Sequence, residues 1–231
     1  MIKKQINQND IFRKEFLELV EDKYSFSISP INRTINKPKS LDKQLMLENL
    51  KNKIEQIKDC ELKNNATKIV FSDGKYNSPI MIVGEAPGEK EDAIGIPFVG
   101  EAGLLLNKML NAIKLKRENL YITNLVNYRP PNNRKPKNIE VENCITWLSG
   151  QIELIDPKVI VLAGSTAVQS YLNINEPISK IRGQWINKGG IKYMPIFHPS
   201  YLLRNPSDEK GKPKWLTIQD LKKVKKELKS G

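Results

Sequence analysis

The sequence predicts an α/β fold in three layers, a central four-stranded, mainly parallel sheet between helices. Four short apolar runs, centred near Ile82, Ile122, Ile160 and Ile196, lack the polar alternation of a strand with one wet face. They alternate with stretches whose apolar residues recur at helical spacing, as parallel strands joined by crossover helices require. With 231 residues and 39% apolar content, the chain can bury one medium-sized core.

The elements follow in order. Residues 1–40 are rich in Asn, Lys and Ser, with one amphipathic stretch at 11–20, and read as a weakly ordered extension. Residues 41–231 read as a single domain. Leu41, Leu45, Leu47, Leu50, Ile54 and Ile57 mark a helix packed on it. Strands are expected at 79–83, 120–126, 158–163 and 193–197. Helices are expected at 104–113, at 139–155 with Pro157 just beyond, and from 165 through 172. Trp215, Ile218, Leu221, Val224 and Leu228 give a closing helix with lysines on its other face.

Composition excludes several kinds of chemistry. Two cysteines, Cys60 and Cys144, cannot make a disulfide scaffold, and one histidine leaves too few ligands for a Cys/His zinc module. Histidine chemistry must run through His198. No apolar run is long enough to cross a membrane, and MIKKQINQND precedes no apolar signal region, so a cytoplasmic protein is expected, with no membrane partner.

The net charge of +12 favours a phosphate-rich partner. Half of it lies in residues 210–231, with eight basic and two acidic side chains. A second cluster, 129–137, holds Arg129, Arg134, Lys135 and Lys137 among three prolines and no acid. Prolines fix that backbone, and a pre-organised cationic loop suits a phosphate chain.

Parallel sheets bind ligands beyond the carboxyl ends of their strands. Those ends carry Gly84-Glu85-Ala86-Pro87-Gly88, Thr123-Asn124, Gly164-Ser165 and His198-Pro199-Ser200. The first leads into GEAPGEKEDAIGIPFVGEAG, with five glycines in 20 residues, where a ligand can approach the backbone closely. The spacing GxxxxGK[ST] is absent, so this is not a P-loop.

At these residues the chain resembles a known family. GEAPGEKEDAIGIPFVGEAGLLL resembles the first motif of family-4 uracil-DNA glycosylases, and HPSYLLR the second. YITNLVNYRPPNNRKP and RGQW are similar to further family segments, so the likeness spans roughly residues 41–220. It implies removal of uracil from DNA by cleavage of the N-glycosidic bond, and a uracil-DNA glycosylase-like sheet. It also implies a four-cysteine iron–sulfur cluster. Cys60 and Cys144 match two of its ligands, but Ile57 and Tyr128 stand where the others would be. No cluster and no metal are therefore expected, and the two cysteines look like remnants.

The resemblance also implies roles. A base inside a duplex must be flipped out, and cleavage leaves a uracil anion to be stabilised. Phe98 is the expected stacking platform. Asn124 can accept from uracil N3–H while donating to O4. His198 would steady the charge at O2. Glu85 is the expected water-positioning carboxylate, with Glu91 and Asp92 as alternatives; Ala86, Gly88 and Asp92 complete the expected base site. Ser165, Ser200, Arg129, Arg134 and Lys135 are expected on phosphates, Arg204 on phosphate or base edges, and Tyr201, Leu202 and Leu203 as a minor-groove wedge. A monomer acting on uracil-containing DNA is expected; the alternative is a non-catalytic DNA-binding protein on the same fold.

Overall fold

A computed structural model describes residues 40–58 and 60–228, so the expected extension lies outside the described residues apart from Ser40. Along the chain come α1 (Ser40–Gln56), α2 (Glu61–Asn65), β1 (Asp73–Gly74), β2 (Ile80–Gly84), α3 (Glu89–Ile94) and α4 (Glu101–Ala112). Next are β3 (Tyr121–Asn124), α5 (Asn138–Ile155), β4 (Val159–Ala163), α6 (Ser165–Leu172) and α7 (Ile178–Ile181). The chain closes with β5 (Ile186–Lys188), β6 (Ile191–Ile196), α8 (Pro199–Leu203) and α9 (Pro213–Glu227).

The strands form one sheet in the order β1-β3-β2-β4-β6-β5. The four expected strands, β3, β2, β4 and β6, are mutually parallel. Two short antiparallel edge strands extend the expected four to six. β5 joins β6 through Gly189 and Gly190, both at positive φ, as a tight two-residue hairpin requires.

Both faces of the sheet are covered, which is why its strands read as unbroken apolar runs. Met81, Val83, Ile160 and Leu162 point to a core shared with α1, α5 and α6. Ile80, Ile82, Val159 and Val161 point to the other, shared with α4, α8 and α9. Burying each large side chain contributes roughly 1.5–3 kcal/mol.

Two ion pairs fix the closing helix. The guanidinium of Arg182 grips the fully buried Asp220, with Nε to Oδ2 at 2.7 Å. Asp220 lies at mid-helix, and at the last residue of the helix Glu227 meets Lys192 Nζ at 2.5 Å. Lys192 lies near the start of β6, so the last turn of α9 sits at the amino-end edge of the sheet. Lys225 Nζ donates to Ile113 O at 2.7 Å, whereas Lys223 Nζ reaches Gly183 O at 2.7 Å, beside Pro195 near the carboxyl end of β6.

Chain order sets where a ligand can bind. From β2 the chain crosses to β3 on one side and then to β4 on the other. The connections diverge at this switch point and leave a crevice beyond the carboxyl ends.

Candidate active site

The crevice holds a cavity of about 750 Å³. Twelve of the residues given roles by sequence line it: Glu85, Ala86, Gly88, Glu91, Phe98, Asn124, Arg134, Ser165, His198, Ser200, Tyr201 and Arg204. A second cavity, of about 700 Å³, lies between α1 and the segment 66–76 and contains none of them.

Gly84 is the meeting point. It ends β2 and pairs in register with Asn124, which ends β3. A Cβ added at Gly84 would stand 2.5 Å from Phe98 Cζ and closer still to Asn124 Oδ1. Pairing continues one step further, Leu125 N–H donating to Gly84 O at 3.0 Å and Val126 N–H to Glu85 O at 3.3 Å. The backbone of Glu85 is thus held at the rim.

The Gly-rich loop is stapled by a buried carboxylate. Glu91 Oε1 accepts the N–H groups of Val99 (2.9 Å) and Gly100 (2.7 Å), and Oε2 accepts that of Gly88 at 3.2 Å. Asp92 faces elsewhere, its Oδ1 accepting from the N–H groups of Thr67 and Lys68. Of the two alternatives to Glu85, Glu91 lines the cavity, whereas Asp92 anchors the loop from outside. The helical turn of α3 separates the two neighbours.

Phe98 has φ 53°, in the left-handed region. For a bulky residue this costs on the order of 1–3 kcal/mol and persists only where the surroundings enforce it. Its ring is nearly buried and lies 6.1 Å, centroid to centroid, from that of His198.

His198 follows β6 and caps α8. Its Nδ1 accepts the N–H of Ser200 at 3.2 Å and lies 2.7 Å from Ser200 Oγ. An accepting Nδ1 carries no proton, so in the neutral ring the proton sits on Nε2. Burial pulls the imidazole pKa below its ordinary value, opposed by Glu85 and Glu91 and aided by Arg204. Gly164, at φ 96°, lets the end of β4 lie against this ring: an added Cβ would stand 3.0 Å from His198 Cβ.

The predicted DNA-contacting residues divide. Arg134 lines the cavity, but its guanidinium is bidentate on Glu140 (2.8 and 2.5 Å). Arg129 bonds Asn133 Oδ1 at 2.8 Å, and Lys135 is exposed. Leu202, expected in the wedge, is fully buried in the core. The helical turn of α8 sends it inward and leaves Tyr201 and Leu203 exposed, at 37% and 40%. Among cavity residues not singled out, Phe197 lies between Arg182 and Tyr201, its ring 5.1 Å from that of Tyr201. Ile178 and Ser179, also in the lining, carry no sequence signal, because α7 is a single turn without periodicity.

Ile57, Cys60, Tyr128 and Cys144 gather in one apolar cluster. Burial, with Cys60 nearby, pushes the Cys144 thiol up to about 12, and burial raises the Tyr128 phenol as well. Ile57 offers no donor atom and Tyr128 a phenol in place of a thiolate, so these four positions supply two thiols and do not fit a four-cysteine iron–sulfur cluster. Among the described residues no group of three or more His, Cys, Asp or Glu could hold a metal.

Residues 71–222 match the model of the uracil DNA glycosylase superfamily. The chain is 41% identical to the type-4 uracil-DNA glycosylase of Thermotoga maritima over 186 residues, 80% of this chain and 95% of that protein. It is 41% identical to the type-4 enzyme of Archaeoglobus fulgidus over 170 residues, 69% of this chain and 84% of the relative. A type-5 uracil-DNA glycosylase of Pyrobaculum aerophilum is 30% identical over 146 residues, 56% of this chain and 64% of that one.

The single histidine makes its ionisation directly measurable. Its NMR titration midpoint is expected below 6.5, with Nε2 protonated in the neutral form. The folded chain then binds this proton less readily than the unfolded chain, so stability falls as pH drops below that value.

Proposed function

The chain belongs to the type-4 enzymes of the uracil-DNA glycosylase superfamily, and we propose that it flips uracil out of DNA and hydrolyses the N-glycosidic bond through Phe98, Asn124, His198 and Glu85. One observation carries this assignment of roles: these four residues, from three strand ends and one loop, line a single cavity at the switch point of the sheet.

The flipped base stacks on Phe98. Asn124 Oδ1 accepts from uracil N3–H while its Nδ2 donates to O4; cytosine presents the reverse pattern and is rejected. The bond between C1′ and N1 breaks, and its electron pair leaves with the base. The neutral imidazole of His198 donates from Nε2 to O2, where charge gathers, without giving up the proton. A water held by Glu85 attacks C1′ and its proton passes to that carboxylate. The product is an abasic site, the first step of base excision repair.

Ser165, Ser200 and the backbone at Gly88 hold the flanking phosphates, with Arg204 at the rim. Arg134, held by Glu140, meets the DNA backbone at the cavity wall, and Arg129 and Lys135 track it farther out. Tyr201 and Leu203 fill the gap left by the base. Residues 41–231 form the catalytic unit, active as a monomer in the cytoplasm. No helix among the described residues is long and apolar enough to cross a membrane. The enzyme works without an iron–sulfur cluster, the apolar packing of Ile57 and Tyr128 standing in for it.

A single-turnover assay on a uracil-containing oligonucleotide, with alkali cleavage, is expected to yield strand breaks at uracil. Intact DNA would leave only a DNA-binding protein. Asn124→Asp is expected to lose about tenfold to hundredfold on uracil and to gain on cytosine. Unchanged discrimination would remove Asn124 from base reading. The purified protein is expected to be colourless and free of iron, and stoichiometric iron with visible absorption would overturn the cluster-free assignment.

A further inference from the structure

Phe98 is gripped on both sides of its peptide. Glu91 holds the N–H groups of Val99 and Gly100 from the cavity side. On the other side, Arg117 Nη1 donates to Phe98 O at 2.9 Å, and Nη2 to Pro97 O at 2.5 Å. Arg117 belongs to the short turn before β3, not to the Gly-rich loop. Its own orientation is fixed by Nε donating to Asp73 Oδ2 at 2.6 Å, and by Asn107 Oδ1 at 3.3 Å from Nη1. Asp73 sits on β1, whose pairing with β3 places the carboxylate.

We propose that Arg117, aimed by Asp73, is a positioning residue that holds the strained Phe98 backbone so that its ring lies flat against the flipped base. The inference rests on the stacking role of Phe98 and extends it to residues that do not line the cavity. A planar guanidinium suits the task, because its fork serves two consecutive carbonyls while the third N–H is held by a carboxylate. The edge strand β1 then has a purpose: two residues long, it buries little, but it anchors Asp73.

A double-mutant cycle on single-turnover uracil release separates the possibilities, with thermal unfolding confirming that each variant is folded at the assay temperature. Phe98→Ala is expected to lose about ten- to hundredfold, and Arg117→Ala about tenfold or more. Combined, they should lose no more than Phe98→Ala alone, because Arg117 acts through that ring. Asp73→Asn, at a half-exposed position, should give a smaller loss that likewise vanishes in the Phe98→Ala background, and it serves if Arg117→Ala does not fold. Wild-type rates for Arg117→Ala and Asp73→Asn beside an impaired Phe98→Ala would overturn the positioning role alone. Losses that multiply in the combined variant would also overturn it. A wild-type rate for Phe98→Ala would overturn the stacking role itself, and this inference with it.

Discussion

The cavity depends on the absence of a side chain at Gly84. There the end of β2, the amide of Asn124 and the ring of Phe98 come within contact distance, closer than any Cβ would allow. A parallel sheet brings strand ends together but does not decide how near a loop may fold back over them. Gly84 decides it, and so sets the spacing between the amide of Asn124 and the ring of Phe98, the proposed base reader and stacking platform. Gly164 plays a similar part opposite, letting the end of β4 lie against His198.

Around that contact, charge is used to immobilise backbone. Glu91, Asp92 and Arg117 each bond to main-chain groups of two or more residues. A loop with five glycines has much conformational freedom to lose on ordering. Charge-assisted bonds, stronger than neutral ones, offset that loss and allow Phe98 its left-handed backbone. His198 follows the same logic: bonds from Ser200 to Nδ1 and burial of the ring keep it neutral, with its one proton directed from Nε2.

Much of this was legible in the sequence. The four parallel strands announced themselves because both faces are buried, and three strand ends with one Gly-rich loop carried Phe98, Asn124, His198 and Glu85. The edge strands were not legible: Asp73–Gly74 is too short for any period, although Gly189-Gly190 was a usable hairpin signal for β5. Asp92, expected in the base site, instead faces Thr67 and Lys68 while Glu91 lines the cavity, since helix geometry separates adjacent carboxylates only once the direction of α3 is known. Leu202 was read as a wedge for the same reason, its turn in α8 facing the core. The role of Arg117 depends on contacts 19 and 44 residues away, which no local pattern records.

The charge acquires a geography as well. The last turn of α9 is tied through Glu227 to Lys192 at the start of β6, while Arg134 and Arg204 line the cavity. The most direct measurement of the account's centre is uracil release by Gly84→Ala beside its thermal unfolding. A loss of about a hundredfold or more with the fold retained is expected, because an added methyl must displace Phe98 or Asn124. Near wild-type release would contradict the claim that the contact at Gly84 sets the geometry of the site.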